Sequence, residues 1–121
     1  MDDLVIKADV TEANAIREEW GTLFWLASEE IGNVQGLTLG RTYLPPGKSN
    51  PRHSHPNCDE VLYVLQGTLR NVIGGETVVL EAGDTITVAR GTPHQATNIG
   101  QKMCDVIVAY NCGRRIFKLE I

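Results

Sequence analysis

The sequence is poor in the features that identify several large classes of protein. It has only three cysteines and no CxxC spacing, so a disulfide-based scaffold is not indicated. Its hydrophobic residues never form a stretch long enough to cross a membrane. The net charge is −4 and there is no cluster of basic residues, which argues against nucleic acid as a partner. These absences argue against a disulfide scaffold, a membrane-spanning protein and a nucleic-acid-binding protein.

What the chain does contain indicates an all-β fold. Its 121 residues suit one domain, and 12 glycines and five prolines separate many short apolar runs. Gly74 and Gly75 lie between two alternating runs and predict a hairpin. We expect strands over 22–27, 35–44, 60–65, 68–73, 77–80, 85–88, 94–98, 103–110 and 114–119.

One helix is expected near the N-terminus, over residues 9–20. Asp9 and Glu12 have the spacing of a capping box, and Gly21 could end the helix. Val10 and Thr11 would also suit an extended arm, so that alternative stays open.

Histidine is as scarce as cysteine, and its three copies lie where a metal ion could use them. His53 and His55 are two residues apart, so in a strand they point to the same face. Glu60 precedes the apolar run 61–65, which reads as a buried strand, and a lone carboxylate there is costly unless a cation neutralises it. His94 begins another short strand and could complete the cluster from across a barrel.

These segments resemble the paired motifs of the cupin superfamily. The first motif is matched by Gly47, His53, His55, Glu60 and Gly67, and the second by Gly83, Gly91, His94 and Asn98, with Ala89 where the family usually has proline. The resemblance implies an all-β, cupin-type jelly-roll β-barrel with a short N-terminal helix as a possible addition. It also implies a single domain over 1–121, with the motifs in about 40–110 and an N-terminal extension and first strands in 1–39.

The resemblance implies one divalent transition metal per chain, held by His53, His55, Glu60 and His94. Imidazole and carboxylate ligands suit iron, manganese, nickel, zinc and copper, so the ligand set does not distinguish these metals. We expect a small metal-dependent enzyme acting on a small organic acid or a carbohydrate-derived substrate, by dioxygenase, decarboxylase, isomerase or lyase chemistry. The alternative is a non-catalytic module that uses the metal to bind or sense a small ligand.

Other side chains leave alternatives open. Cys58, between the ligands, is either a thiolate donor or nucleophile, or a loop cysteine without a role. Arg41, Arg70 and Arg90 are either substrate-carboxylate ligands or ordinary surface charges. Three aromatic residues could cover a substrate mouth or could serve as core or dimer contacts: Trp20, Phe24 and Trp25.

The resemblance further implies a homodimer, in which the apolar strand over 22–27 crosses to the partner. The first residues carry acid at positions 2 and 3, where a secretory signal would carry base. We therefore expect a cytoplasmic protein with a small-molecule ligand and no nucleic-acid or membrane partner.

Overall fold

The computed structural model describes residues 5–120 as two antiparallel β-sheets with a short N-terminal helix. The acidic first residues lie outside the described range. The elements are α1 (Ala8–Ala13), β1 (Ile16–Glu18), β2 (Gly21–Ala27), β3 (Thr38–Leu44), β4 (His53–Ser54), β5 (Glu60–Gln66), β6 (Thr68–Ile73), β7 (Glu76–Glu81), β8 (Thr85–Val88), β9 (His94–Asn98), β10 (Cys104–Tyr110) and β11 (Lys118–Leu119). The expected all-β barrel is confirmed. Within residues 5–120, no helix has the length and apolar character needed to span a bilayer.

The larger sheet has the strand order β1-β2-β3-β10-β5-β8. Its central strand, β10, alternates buried and half-buried side chains, with Val106, Val108 and Tyr110 facing inward. The neighbouring strand β5 also buries only alternate residues. Tyr63, for example, is 40% exposed on the outer face, so the prediction of a fully buried run over 61–65 was wrong for one face of that strand.

The smaller sheet has the order β11-β4-β9-β6-β7, and it packs its inner face on the larger sheet. The hairpin between β6 and β7 turns at Gly74 and Gly75, as expected. Gly74 has a φ of 58°, a left-handed conformation that glycine adopts without strain. Leu69 from β6 and Val64 from β5 are almost completely buried where the two sheets meet.

The N-terminal prediction needs correction, because the helix ends at Ala13 and not at residue 20. None of its residues is buried, so packing does not stabilise a longer helix. Residues 16–18 instead pair with β2 as strand β1. The capping box is wrong too, since Lys7 is the N-cap and Asp9 lies inside the helix. Gly21 belongs to β2, where a Cβ atom would collide with the carbonyl oxygen of Tyr43.

The C-terminal segment differs as well. Only Lys118 and Leu119 form a strand, and they pair with Ser54 and His53 of β4. Residues 114–117, expected in a strand, form a loop that passes over the end of the barrel where the histidines lie. We call residues 111–117 the C-terminal loop.

Asn98 shows how a buried polar side chain holds the loops of the smaller sheet. It is 1% exposed; its Nδ2 donates to the carbonyl oxygens of Leu44 and Lys102, both at 2.7 Å, and its Oδ1 accepts from the Gly100 amide.

Replacing Asn98 with alanine should lower the free energy of unfolding by about 3 kcal/mol, because buried backbone groups lose their partners. Urea denaturation measures this change. Gln101→Ala, at an exposed position, is the control and should stay within about 0.5 kcal/mol of the parent; equal losses in both variants would contradict the interpretation.

Candidate metal centre

The four predicted ligands come from both sheets and meet between them. His53 lies in β4, His55 follows that strand, and His94 opens β9, all in the smaller sheet. His53 and His94 are direct cross-strand partners, so their rings extend from one place on that sheet. Glu60 opens β5 in the larger sheet. The site therefore depends on the packing of one sheet against the other.

The side chains converge closely. The three imidazoles offer ligand atoms that lie within 4.8 Å of one another. The Oε1 atom of Glu60 is 3.1 Å from Nε2 of His94 and 3.5 Å from Nε2 of His55. All four residues are buried, and His55 is only 2% exposed. These distances bring together all four predicted ligands.

Hydrogen bonds to the backbone orient all three rings in the same way. Nδ1 of His53 bonds the Pro51 carbonyl at 2.7 Å, Nδ1 of His55 bonds the Ile116 carbonyl at 2.9 Å, and Nδ1 of His94 bonds the Thr92 carbonyl at 2.9 Å. A carbonyl oxygen only accepts, so each Nδ1 carries a hydrogen. A neutral ring then has its lone pair on Nε2, the arrangement expected of a metal-binding histidine.

With the rings neutral and in this tautomer, three of the inward-facing atoms are acceptors that receive no hydrogen bond from residues 5–120, although two of them, Nε2 of His94 and Oε1 of Glu60, lie 3.1 Å apart. They are Nε2 of His55, Nε2 of His94 and Oε1 of Glu60, all buried. Leaving a buried polar atom unsatisfied costs on the order of 1–3 kcal/mol, and more when the group is charged. A cation between these atoms would satisfy all three together, so the residues fit a metal ion.

The electrostatics of the cluster suit cation binding. Burial lowers the pKa of His53 to about 4 and also lowers the pKa of His55. Burial alone would raise the pKa of Glu60, but the neighbouring His94 and the other imidazoles outweigh it, so the pKa is lowered. Two neutral imidazoles and an ionised carboxylate are the forms that a metal requires. For His94, burial lowers the pKa, but the Glu60 carboxylate more than offsets this and raises it.

A cavity of about 70 Å³ opens beside His53, Glu60 and His94, and we call it the central cavity. Its walls come mainly from apolar and aromatic residues, including Trp20, Leu23, Trp25, Leu62, Val106 and Phe117. Trp20 and Trp25 thus lie at the site, whereas Phe24 is buried against Tyr43 with ring centroids 4.9 Å apart. The Phe117 ring stacks on His53 at 4.5 Å. Most of the walls of the central cavity are therefore apolar.

The arginine that lines the central cavity is not one of the three candidates taken from the sequence. Arg41 forms a two-bond ion pair with Asp105, Arg90 pairs with Asp59, and Arg70 is exposed on β6. None of these three lines the central cavity, but Arg115 does. No motif marks Arg115, because it comes from the C-terminal loop and reaches the cavity only through the fold.

Cys58 is bonded to Cys112, 54 residues away, with Cα atoms 5.6 Å apart. This corrects two expectations: a disulfide is present, and Cys58 is not a free thiolate donor or nucleophile. The bond fastens the C-terminal loop to the segment between His55 and Glu60. Asn57 adds to this attachment, donating to the Arg114 carbonyl and accepting from the Ile116 amide. Cys104, the third cysteine, is free and buried.

Comparisons with known proteins agree with this fold. The family model described as the cupin domain matches residues 40–110. Germin-like protein 3-8 of Oryza sativa subsp. japonica is 39% identical over 84 residues, covering 65% of this chain and 37% of the relative. Tetracenomycin polyketide synthase protein TcmJ of Streptomyces glaucescens is 34% identical over 91 residues, covering 75% of this chain and 60% of the relative. The chain thus spans between about a third and three fifths of these relatives.

Among solved structures, recombinant oxalate oxidase in complex with glycolate superposes with a TM-score of 0.83. The alignment covers 98% of this chain and 65% of the other, at 23% identity. At this identity the likeness concerns the fold.

Proposed function

Because this chain belongs to the cupin domain family, we propose that it is a small metal-dependent enzyme whose divalent ion is held by His53, His55, Glu60 and His94. The observation that carries the proposal is the set of three buried atoms that could bind a metal ion and that receive no hydrogen bond in the described part of the chain. The substrate is a small organic acid or a carbohydrate-derived molecule bound in the central cavity. The reaction is a dioxygenation, decarboxylation, isomerisation or elimination.

Such an ion would polarise a bound carbonyl or carboxylate and acidify a water molecule. The protein supplies the rest of the site. The backbone carbonyls that bond each Nδ1 hold the imidazoles in one tautomer and one orientation, so little reorganisation is needed. The apolar walls exclude water, which strengthens electrostatic interactions inside the cavity.

The histidine count limits the proton chemistry. All three imidazoles of the chain are used as ligands, so none is left to act as a general base. Tyr110 lines the cavity, but burial, together with the Glu60 carboxylate, raises its pKa well above the ordinary value. Its hydroxyl therefore stays protonated at neutral pH and can donate a hydrogen bond at Oη. This argues against mechanisms that rely on a free histidine base.

The similar proteins support a small acid as one substrate class. One solved structure with the same fold is an oxalate oxidase bound to glycolate, a two-carbon acid. The chain spans only part of its curated relatives, so their activities serve as a guide to which compounds to test.

The test uses protein purified without added metal or chelator. We expect elemental analysis to find about one divalent first-row metal per chain, and turnover of at least one small acid or carbohydrate derivative, followed with an oxygen electrode and by product chromatography. Metal with stoichiometric ligand binding but no product would favour the alternative, a binding or sensing module. A chain that binds no first-row metal would contradict both.

Three further expectations stay predictions: a single domain, a cytoplasmic location and a homodimer. The strand over 22–27, which was expected to cross to the partner, pairs with β1 and β3 of the same chain. The homodimer instead has local support on the outer face of β5, where Val61, Tyr63 and Leu65 form an exposed apolar row.

A further inference from the structure

Arg115 occupies an unusual place for a cation, at the wall of the central cavity among aromatic rings. Its guanidinium carbon is 4.5 Å from the ring centroid of Trp25, 5.3 Å from that of Tyr110 and 5.7 Å from that of Phe117. Ring faces attract a guanidinium electrostatically and hold its plane in a defined orientation. The three rings thus position the charge without using up its N–H donors.

The charge of Arg115 has no acidic partner within residues 5–120. No carboxylate of that range lies within 4.0 Å of it, whereas the exposed Arg114 next to it approaches Glu29 at 3.9 Å. Nη1 of Arg115 comes within 3.5 Å of Nδ1 of His55, but that nitrogen already donates to the Ile116 carbonyl and cannot accept a hydrogen bond. The guanidinium is therefore available to an outside acceptor.

The charges of the cavity favour an anion. In the proposed function, three neutral imidazoles, one carboxylate and a divalent ion carry a net charge of about +1. Arg115, which is half-buried, adds a second positive charge at the wall of the same mainly apolar space. Positive charge in such surroundings is unfavourable without a counter-ion, and the planar fork of a guanidinium matches a carboxylate.

The size and walls of the cavity limit that anion. About 70 Å³ holds only a few water molecules, so the ligand has a small number of non-hydrogen atoms. Thr42, Asn50 and the Tyr110 hydroxyl are the main uncharged polar groups of the lining, too few to satisfy the many hydroxyls of a sugar derivative.

We infer that Arg115 is the specificity-determining residue of the site and that the ligand is a compact carboxylate of two or three carbons. The inference rests on the proposed metal site, which supplies the second anchor for the ligand, and it narrows the two proposed substrate classes to the acid. It assigns the recognition role to the C-terminal loop, outside both family motifs.

The test measures binding by calorimetry on the full-length protein, both metal-loaded and metal-free. The probes are oxalate and glycolate, with ethylene glycol and acetamide as neutral molecules of similar size and inorganic phosphate as a second anion. We expect the metal-loaded protein to bind a carboxylate more tightly than the other three probes. Arg115→Gln should weaken carboxylate binding by roughly thirtyfold, because a charge-assisted hydrogen-bonded pair is lost. Arg115→Lys should lose roughly tenfold, since it keeps the charge without the fork.

Arg114→Gln is the matched control, and it should change carboxylate affinity by less than threefold. Metal affinity, measured by chelator competition, should stay within threefold of the parent in every arginine variant, which separates ligand recognition from metal binding. Equal carboxylate affinity in the parent and Arg115→Gln would overturn the inference, as would tighter binding of phosphate or a neutral probe. If no variant or parent retains metal, the proposed function fails, and the metal-free titration still decides whether Arg115 binds the carboxylate.

Discussion

Replacing His94 with alanine is expected to weaken metal binding by roughly 100- to 1000-fold. His94 supplies one of the three converging imidazoles and is also the imidazole nearest to Glu60, at 3.1 Å. Structural and catalytic metal sites of this kind bind through the sum of a few ligand bonds, so the loss of one bond removes a large share of the affinity. Chelator competition and elemental analysis measure the change.

Glu60→Gln tests the charge of the site separately from its shape. The amide has nearly the volume of the carboxylate, but it cannot offset the charge of a cation, so we expect a loss of at least about tenfold in metal affinity. Glu76→Gln, at an exposed position of β7, is the matched control and should leave affinity unchanged. Retained affinity in both His94→Ala and Glu60→Gln, with circular dichroism showing a folded barrel, would exclude these residues as ligands.

Removing the Cys58–Cys112 disulfide should have the largest effect on stability. The bond closes a loop across a sequence separation of 54 residues, and the chain-entropy relation for a loop of this length gives a loss of about 4 kcal/mol in the free energy of unfolding. We expect this loss in the double variant Cys58→Ser, Cys112→Ser, measured by urea denaturation. Metal affinity should fall by roughly tenfold as well, because the bond anchors the loop whose Ile116 carbonyl orients His55.

Reducing agent provides the control for this prediction. It should destabilise the parent protein toward the level of the double variant and leave the double variant itself unaffected. Thiol titration of the denatured, unreduced parent should find one reactive thiol, that of Cys104. Three reactive thiols would show that the bond does not form.

The convergence of the candidate ligands was largely predictable, because most of its signals are local. Two histidines at a spacing of two, and a carboxylate at the start of an apolar run, have a physical meaning before any contact is known. The family spacing then added His94 from a second segment. The strands of the hairpin at Gly74 and Gly75 were predictable for the same reason, since turn chemistry is short-ranged.

The failures arose where tertiary contacts override local pattern. Residues 16–18 have a spacing that suits a helix, but they form a strand that pairs with β2. An exposed helix at this place would have no such tertiary contact to stabilise it. The pairing of Cys58 with Cys112 was missed because proximity across 54 residues depends on the folded chain.

By itself, the sequence determined the all-β class, the turns and three of the side chains at the candidate metal centre, because periodicity and spacing act over a few residues; the fourth, His94, came from the resemblance to the family motifs. Only the tertiary structure decided that Glu60 reaches the histidines from the opposite sheet and that Arg115, not Arg41, Arg70 or Arg90, lines the central cavity. The physical reason is that a cavity is built from residues distant in the chain, and sheet packing and the attachment of the C-terminal loop bring them together.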